Sequence, residues 1–360
     1  MKDFTNEFPV LEEYTYLNTP SSGLVSTSLI RWRHEHDLDF LKRGSLFRDG
    51  HKELLKEIRK QIADFFKTDP PSVAMLPNFS FGMNSVLDGI PRGKKILLLE
   101  GDYPSINWPV EQRDFEVCYA ALNTNLEDNI EQAISHHKPE VFAFSLVQYI
   151  SGIAIDLDFL AGLKHRNPDL VLIADGTQFL GTTNFNFSDS PIDVLGASVY
   201  KWLLGGYGNG FFLAKEEARE RILPKTIGYN SLDASFGNKG EISFIGRLEP
   251  GHQDTLNYGS LAEALRFLQN IGMDEIEKYV RRLNNCARQE FIRMDLLDDR
   301  LVSRATGTTI FNLKGDRQLF DRLRENGVIC SMRGDGLRVG FHVYNTEQDI
   351  EKLLQLITRS

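Results

Sequence analysis

Short apolar runs alternate with helical patterns from about residue 70 to residue 213 of the chain. The runs are continuously apolar and end on polar or glycine-containing turns, which is typical of parallel strands buried on both faces. Clear examples are K-K-I-L-L-L-E, V-F-A-F-S-L-V-Q-Y, V-L-I-A-D and D-V-L-G-A-S-V-Y-K. The alternation predicts an α/β fold with a parallel sheet, helices on both faces and a ligand at the carboxyl ends of the strands.

The segments on either side of this region follow other patterns. Residues 27–67 have helical periodicity with one interruption at 43–51, whereas residues 214–258 are irregular and rich in Gly, Asn and Ser. A long connecting helix is predicted around 259–290. Residues 71–90 have the pattern of a strand, a turn and a helix. We expect this helix to begin near Phe81.

The C-terminal part predicts a separate small α+β domain. After residue 300 the pattern indicates four short strands and two helices. The strands are L-V-S-R, T-T-I-F-N-L, G-V-I-C-S-M and G-L-R-V-G-F. We therefore expect a large domain over residues 23–255 and a small domain formed by residues 1–22 together with residues 256–360.

Composition narrows the class of protein. The 360 residues include 41% hydrophobic and 25% charged side chains, which is ordinary for a globular protein. A net charge of -9 without a basic tract argues against nucleic acid as a partner. The N-terminus lacks an apolar core of signal-peptide length, and no apolar stretch approaches about 18 residues. The sequence thus predicts a cytoplasmic protein with no membrane partner, and its three cysteines have neither disulfide nor zinc spacing.

Two adjacent strand ends carry complementary chemistry. Asp175 ends V-L-I-A-D, and Lys201 follows the next apolar run. Alone, either residue is more often a turn cap or a solvated amine. Together they suit pyridoxal phosphate (PLP), because a lysine binds the aldehyde as a Schiff base and an aspartate keeps the pyridine nitrogen protonated. Gln178 adds an amide that can reach a cofactor oxygen, and Ser198 a hydroxyl for a phosphate.

Other strand ends offer an anion site and a flat ring. Asn78, Phe79 and Ser80 precede a predicted helix, whose free amides and the Ser80 hydroxyl suit a phosphate, although Ser80 could equally be an N-cap. Tyr103 follows K-K-I-L-L-L-E and could lie over a planar heterocycle or pack under its loop.

Arg338 lies inside an otherwise apolar strand, where an unpaired guanidinium would be costly. It needs a carboxylate partner, either a structural Asp or Glu or the α-carboxylate of a substrate. His252, after Gly251, offers an imidazole near the end of the irregular region. Asn18, Arg48, His51 and Tyr149 also lie in turns or loops, and the sequence assigns them no role.

Taken together, these segments resemble the class V aminotransferase family of fold-type I PLP enzymes, which includes cysteine desulfurases, selenocysteine lyases, isopenicillin epimerases and kynureninases. The resemblance extends from Y-L-N-T-P-S-S-G to R-V-G-F-H-V-Y-N-T-E, and D-G-T-Q and S-V-Y-K are its most specific segments. It implies PLP as the cofactor, an amino substrate bound through an external aldimine, and a homodimer with shared sites.

The resemblance also implies roles for individual residues. Lys201 would be the Schiff-base lysine and general base, Asp175 the partner of the pyridine nitrogen, and Gln178 the neighbour of the ring hydroxyl. The other implied contacts are Phe79, Ser80 and Ser198 with the phosphate, Tyr103 stacked on the ring, Tyr200 beside the cofactor, Arg338 on the substrate carboxylate, and His252 on the phosphate of the partner subunit.

The sequence indicates the branch of the family less strongly than it indicates the family itself. We favour a class V aminotransferase. Residues 147–152, V-Q-Y-I-S-G, resemble kynureninase and keep a kynureninase-like or other β-lyase open, and a racemase outcome also remains. A cysteine desulfurase or selenocysteine lyase is less favoured, because the loop M-R-G-D-G before the Arg338 strand lacks a cysteine and Cys330 lies in an apparent strand.

Two readings outside this chemistry also remain open. A dinucleotide-binding dehydrogenase would suit the alternation, but no G-x-G-x-x-G lies between a first strand and helix. A catalytically silent scaffold would not need Asp175, Lys201 and Arg338 together.

Overall fold

The computed structural model describes residues 3–232, 242–298, 302–304 and 308–358. The strands of this part of the chain, in order, are β1 Thr15–Tyr16, β2 Val73–Leu76, β3 Lys95–Leu99, β4 Glu116–Ala120, β5 Val141–Ser145, β6 Val171–Asp175, β7 Val194–Ser198, β8 Gly210–Ala214, β9 Ile310–Lys314, β10 Val328–Ile329, β11 Ser331–Arg333 and β12 Gly336–Gly340.

The helices of the described residues precede, connect and follow these strands. They are α1 Thr27–Arg43, α2 Ser45–Arg48, α3 His51–Phe65, α4 Phe79–Leu87, α5 Pro104–Glu111, α6 Leu126–His137, α7 Leu157–Arg166, α8 Glu216–Arg221, α9 Phe244–Leu248, α10 Thr255–Ile271, α11 Met273–Arg293, α12 Arg317–Glu325 and α13 Glu347–Thr358. Short 3-10 helices cover Pro9–Glu12, Pro70–Ser72 and Tyr229–Ser231. None of the helices described is long and apolar enough to cross a membrane.

A seven-stranded sheet in the order β2-β8-β7-β6-β5-β3-β4 forms the centre of the molecule. The pairs from β7 to β4 are parallel. Alternate residues of one strand pack on opposite sides: Leu97 and Leu99 of β3 join one apolar cluster, and Ile96 and Leu98 join another. Burial on both faces explains the continuous apolar runs and confirms the predicted α/β fold.

Strand β8, which lies between β2 and β7, runs in the opposite direction to its two neighbours. β8 is antiparallel to both β7 and β2, so the expectation of a parallel sheet up to residue 213 is wrong for this strand. β7 and β8 are joined by turns over residues 199–209 with no crossover helix. A connection of this kind returns the chain beside the strand it has just left, which gives an antiparallel pair.

Three local predictions also need correction. The predicted connector is two helices, α10 and α11, because Gly272 between them has φ 97° and interrupts the helical backbone. Helix α4 begins at Phe79 rather than near Phe81, with the Asn78 side chain accepting a hydrogen bond from Phe81 N at 2.9 Å. Residues 302–304 of the predicted strand L-V-S-R are not in a strand, and residue 301 lies outside the described residues.

The C-terminal part contains a three-stranded antiparallel sheet, β11-β12-β9, with α12 and α13 beside it. Strand β1 of the N-terminal segment pairs in parallel with β10, so the first residues of the chain lie against the C-terminal part. The division into a domain of residues 23–255 and a small domain of the remaining segments stays a prediction.

Candidate active site

The carboxyl ends of β5, β6 and β7 bring the central polar residues together. Asp175 ends β6 and is paired with Ser145 of β5 and Gly196 of β7. Lys201 follows three residues after the end of β7. Asp175 is 5% exposed and Lys201 6% exposed, so both charged groups are almost completely removed from water. This edge of the sheet is where an α/β fold binds its ligand.

A chain of hydrogen bonds connects these two segments to the start of α4. Thr177 N donates to Asp175 Oδ1 at 2.8 Å, and Ser198 N donates to the Thr177 hydroxyl at 3.0 Å. Ser198 Oγ in turn accepts from Phe79 N at 2.9 Å. The bonds therefore fix D-G-T-Q, the strand before Lys201 and the first turn of α4 relative to one another.

A second buried carboxylate, Asp102, lies in the same region and is absent from the residues singled out in the sequence. Asp102 accepts from Tyr103 N at 2.7 Å and from Ser145 N at 2.8 Å, so it joins the ends of β3 and β5. Its position in G-D-Y-P, directly after an apolar strand, was the available signal. Asp102 positions the backbone of Tyr103.

Burial sets the protonation of this cluster. Removal from water raises the pKa of Asp175 above its usual range, and the nearby Asp102 adds to the rise. Burial also lowers the pKa of Lys201, although the Asp175 carboxylate opposes that change by favouring the ammonium form. A lysine with a depressed pKa supplies a neutral amine at lower pH than a solvated lysine does.

Tyrosine rings surround the amine. Lys201 Nζ lies 5.7 Å from the centroid of the Tyr103 ring and 5.6 Å from that of Tyr200. Tyr149 packs edge-on against Tyr103, with 5.2 Å between ring centroids, and Tyr207 stacks on Tyr200 at 4.6 Å. Burial raises the pKa of the Tyr103 and Tyr200 hydroxyls, which keeps both neutral. A flat ring bound beside Lys201 would have aromatic neighbours.

Gln178 is held in one orientation by its neighbours. Its Oε1 accepts from Trp202 Nε1 at 2.7 Å, and its Nε2 donates to Pro20 O at 3.0 Å. Because a primary amide carries two N–H groups, one donor remains for a ligand. Gln178 lines the space beside Lys201 together with Tyr103, Tyr149 and Asp175.

The turn of residues 18–23 lies directly against the Lys201 segment. Gly23 N donates to Tyr200 O at 2.7 Å, and a Cβ atom on Gly23 would lie only 1.9 Å from Lys201 O. Only glycine permits this close approach. The turn brings the Pro20 carbonyl to Gln178 and Ser21 to Arg338, a role that its sequence did not reveal. In this turn Asn18 Oδ1 is buried without a hydrogen-bond partner among the described residues.

A cavity of about 420 Å³ opens beside these residues at the start of α4. It is lined by Pro77, Asn78, Phe79, Ser80, Tyr103, Thr177, Ser198, Tyr200, Tyr207 and Gly208. At the start of α4, Phe79 N already donates to Ser198 Oγ and Ser80 Oγ to Ser105 Oγ at 2.7 Å. The helix N-terminus itself and the hydroxyl hydrogen of Ser198 remain to favour an anion. The phenyl ring of Phe79 packs on Phe212 in the core, so the backbone of Phe79, rather than its ring, faces the cavity. The start of α4 therefore suits an anionic group.

Arg338 lies on β12 and is 3% exposed. Its guanidinium donates to Tyr149 O at 2.7 Å and to Ser21 Oγ at 2.5 Å, whereas Nε has no partner. Across the described ranges, no acidic side chain forms an ion pair with Arg338. Burial, helped by the charge of Arg333, lowers its pKa to about 10, so the group stays charged near neutral pH. Within the described residues, Arg338 is therefore a buried cation without a carboxylate.

His252 does not join the Lys201 cavity of its own chain. It lines a separate groove of about 950 Å³ with Arg48 and His51, and its ring lies 5.4 Å from that of Tyr229. The other predicted site residues lie together around the cavities beside Lys201 or directly contact the residues that line them. They are Asp175, Gln178, Lys201, Phe79, Ser80, Tyr103, Ser198, Tyr200 and Arg338.

The cysteines are not arranged for sulfur chemistry at this site. Cys330 lies between β10 and β11, is buried, and has its pKa raised by burial to about 11. Such a thiol is protonated at neutral pH and is a poor nucleophile. Cys118 is also buried, and burial raises the pKa of both Cys118 and Cys286.

Comparisons with known proteins agree with this geometry. The family model "Aminotransferase class-V" matches residues 44–353. An uncharacterized aminotransferase of Bacillus subtilis is 23% identical over 97% of this chain and 95% of its own length. These values indicate a relationship along the whole chain rather than a shared motif.

Solved structures give the same result for the fold. The apo cysteine desulfurase of Thermococcus onnurineus superposes with a TM-score of 0.86, at 19% identity, over 99% of this chain and 98% of that one. A mutant of C-DES with glycine covalently linked to its PLP cofactor superposes with a TM-score of 0.87, at 19% identity, over all of both chains. At this identity the likeness establishes the fold and leaves the substrate open.

Proposed function

Because the chain belongs to the class-V aminotransferase family, a family of PLP-dependent enzymes, we propose that it transfers the amino group of an α-amino acid to an oxo acid. The site fits the cofactor. It offers an anion-binding helix start, a buried carboxylate, a buried amine with a lowered pKa, and tyrosine rings around that amine. PLP, when bound, supplies an electron-withdrawing ring that stabilises negative charge on the substrate α-carbon.

We assign the roles in the reaction to residues around Lys201. Lys201 would hold the cofactor aldehyde, and its amine would serve as the general base for the α-proton of the substrate. Asp175 would keep the pyridine nitrogen protonated. Gln178 would hold the ring hydroxyl through its remaining amide hydrogen, and Tyr103 would pack on the ring. Tyr200 would border the cofactor, and Phe79, Ser80 and Ser198 at the start of α4 would hold its phosphate.

The unpaired guanidinium of Arg338 is the observation that carries the proposal. A buried cation without a counter-ion is costly, and three of its neighbours, Tyr149 O, Ser21 and Lys201, give it no negative charge. An α-carboxylate bound there would neutralise it and hold the α-carbon beside Lys201. This role makes the substrate an amino acid rather than a simple amine.

Replacing Arg338 with glutamine tests the role directly. We expect kcat/KM for amino acids to fall by about 10- to 100-fold, the effect of losing charge-assisted hydrogen bonds. The decarboxylated amine of each substrate should be converted at an unchanged rate, because it never contacts the guanidinium. Arg338→Lys, which keeps the charge but not the planar fork, should recover part of the loss. An equal loss for acids and amines would contradict the carboxylate role.

Replacing Cys330 with alanine separates this proposal from a sulfur-transfer enzyme. The thiol is buried and protonated, so the variant should keep its turnover of amino acids within about twofold of the unchanged protein. Release of sulfide from cysteine, measured in both proteins, provides the comparison. Sulfide release that disappears in Cys330→Ala would contradict the assignment and favour a desulfurase.

Product analysis separates transamination from β-elimination. Transamination of a substrate leaves its carbon skeleton intact as the oxo acid, whereas a β-lyase releases the side-chain group. Chromatography of the products from the best substrate, with and without an added oxo acid, distinguishes these outcomes. Side-chain release without a need for the oxo acid would contradict the aminotransferase proposal and favour the lyase alternative.

We also propose a homodimer with shared active sites. His252 lies in a groove with Arg48 and His51, away from Lys201 of its own chain. The family resemblance implies that this residue reaches the cofactor phosphate of the partner subunit. The position outside its own cavity supports a contribution to a neighbouring one.

A further inference from the structure

A second arginine, Arg333, lies on the same face of the small sheet as Arg338. In the antiparallel pair of β11 and β12, Ser331 is opposite Arg338 and Arg333 is opposite Gly336. Directly opposed residues share a face, and side chains two residues apart on a strand also share it. Arg333 and Arg338 are therefore on one face, separated by one step along the hairpin.

That face lies against the loops that border Lys201. Ser331 contacts the Ser21 hydroxyl at 3.4 Å, beside the contact of Ser21 with Arg338. Asn312 Nδ2 donates to Arg333 O at 2.8 Å and to Ile150 O at 3.5 Å, which fixes the hairpin next to the Tyr149 loop. The hairpin that carries Arg333 is thus held beside the loop of Tyr149 and Ile150, and Tyr149 lines the space next to Lys201.

Arg333 is exposed and lacks an acidic partner. Its Nη1 donates to Met332 O at 3.0 Å, and no Asp or Glu in the part of the chain that the structure describes pairs with it. It is close enough for its charge to lower the pKa of both Lys201 and Arg338. An exposed arginine at a random position would more often be a solvated side chain, but this one extends a cluster of cations at the site.

The charges around Lys201 leave one cation without a role. The proposed function assigns Lys201 to the cofactor aldehyde, Arg338 to the α-carboxylate and Asp175 to the pyridine nitrogen. From the shared face and the position beside the Tyr149 loop, we infer that Arg333 binds the side-chain carboxylate of the substrate. The substrate class is then the dicarboxylic amino acids and the oxo acids derived from them. This inference rests on the proposed function.

Pairs of substrates that differ only in side-chain charge test the inference. We would measure kcat/KM for aspartate against asparagine and glutamate against glutamine with the PLP-loaded enzyme. At least one acidic substrate should be preferred over its amide. Arg333→Gln should lower kcat/KM for that acid by about 10- to 100-fold and leave the amide unchanged, with partial recovery in Arg333→Lys. Arg324→Gln, which removes an exposed arginine on α12, is the matched control and should change neither value.

A binding measurement gives a second readout that does not depend on turnover. Succinate and glutarate, titrated into the loaded enzyme and followed by its absorption spectrum, should bind more tightly than butyrate. Arg333→Gln should weaken the tighter of the two by a similar factor without affecting butyrate. Equal use of acids and amides, or equal losses for both in Arg333→Gln, would overturn the inference while leaving the amino-acid proposal intact. A protein that binds PLP and converts no amino acid would overturn both.

Discussion

Replacing Lys201 with alanine is expected to abolish covalent attachment of PLP and to lower turnover by about 10²- to 10⁴-fold, the range for losing a general base. Lys201 is buried at the carboxyl edge of the sheet, and its lowered pKa makes the neutral amine available near neutral pH. Among the described residues that line this space, Lys201 alone carries an amine. The measurement is the absorption spectrum of the loaded protein together with the rate of conversion of its best amino acid.

Lys215→Ala is the matched control for this variant. Lys215 is also partly buried with a lowered pKa, but it follows the last residue of β8, at the other edge of the sheet, and contacts Ser190 O. It should keep both the cofactor band and the turnover rate. A Lys201→Ala protein that retains the band, or a control that loses it, would contradict the assignment of the cofactor lysine.

The isosteric change Asp175→Asn is expected to lower kcat by about 10²- to 10³-fold, the loss typical of removing one charge-stabilising group. An asparagine can still accept the Thr177 N–H bond, so the local fold should persist. What disappears is the negative charge that holds the pyridine nitrogen protonated. Turnover, with the far-ultraviolet spectrum as a check on folding, measures the effect. A kcat within a few fold of the unchanged protein would contradict the role.

The Asp175→Asn variant should also change the pKa of Lys201. The Asp175 carboxylate favours the ammonium form, so it raises the pKa of Lys201 against the effect of burial. Removing that charge should lower the pKa further. In the cofactor-free protein, the midpoint for modification of Lys201 by an amine reagent should therefore shift to lower pH. A shift to higher pH would show that the two groups do not interact as the structure indicates.

Most of the fold could be predicted because its central strands are buried on both faces. Burial of β3, β5 and β6 requires continuous apolar runs, and such runs are visible without any knowledge of tertiary structure. The direction of β8 was not visible. Direction depends on whether the chain crosses over or turns back, and residues 199–209 contain no periodic pattern that distinguishes the two. The break at Gly272 is similar, since a single glycine is tolerated within many helices.

Some residues of the candidate site could also be predicted from the sequence, whereas its long-range contacts could not. Asp175 and Lys201 could be found because each ends an apolar run, where a charged residue is unusual. The contacts of Gln178 with Pro20 and of Arg338 with Ser21 could not, because these pairs are 158 and 317 positions apart in the chain. Asp102 was missed because an aspartate before a tyrosine and a proline has the sequence of an ordinary turn.

The most direct test of the central claim is the identity of the lysine that carries the cofactor. The loaded protein would be reduced with borohydride, digested and analysed by mass spectrometry. We expect a single pyridoxyl adduct on the peptide that contains Lys201. No adduct after incubation with excess PLP, or an adduct confined to other lysines, would contradict the assignment of this site.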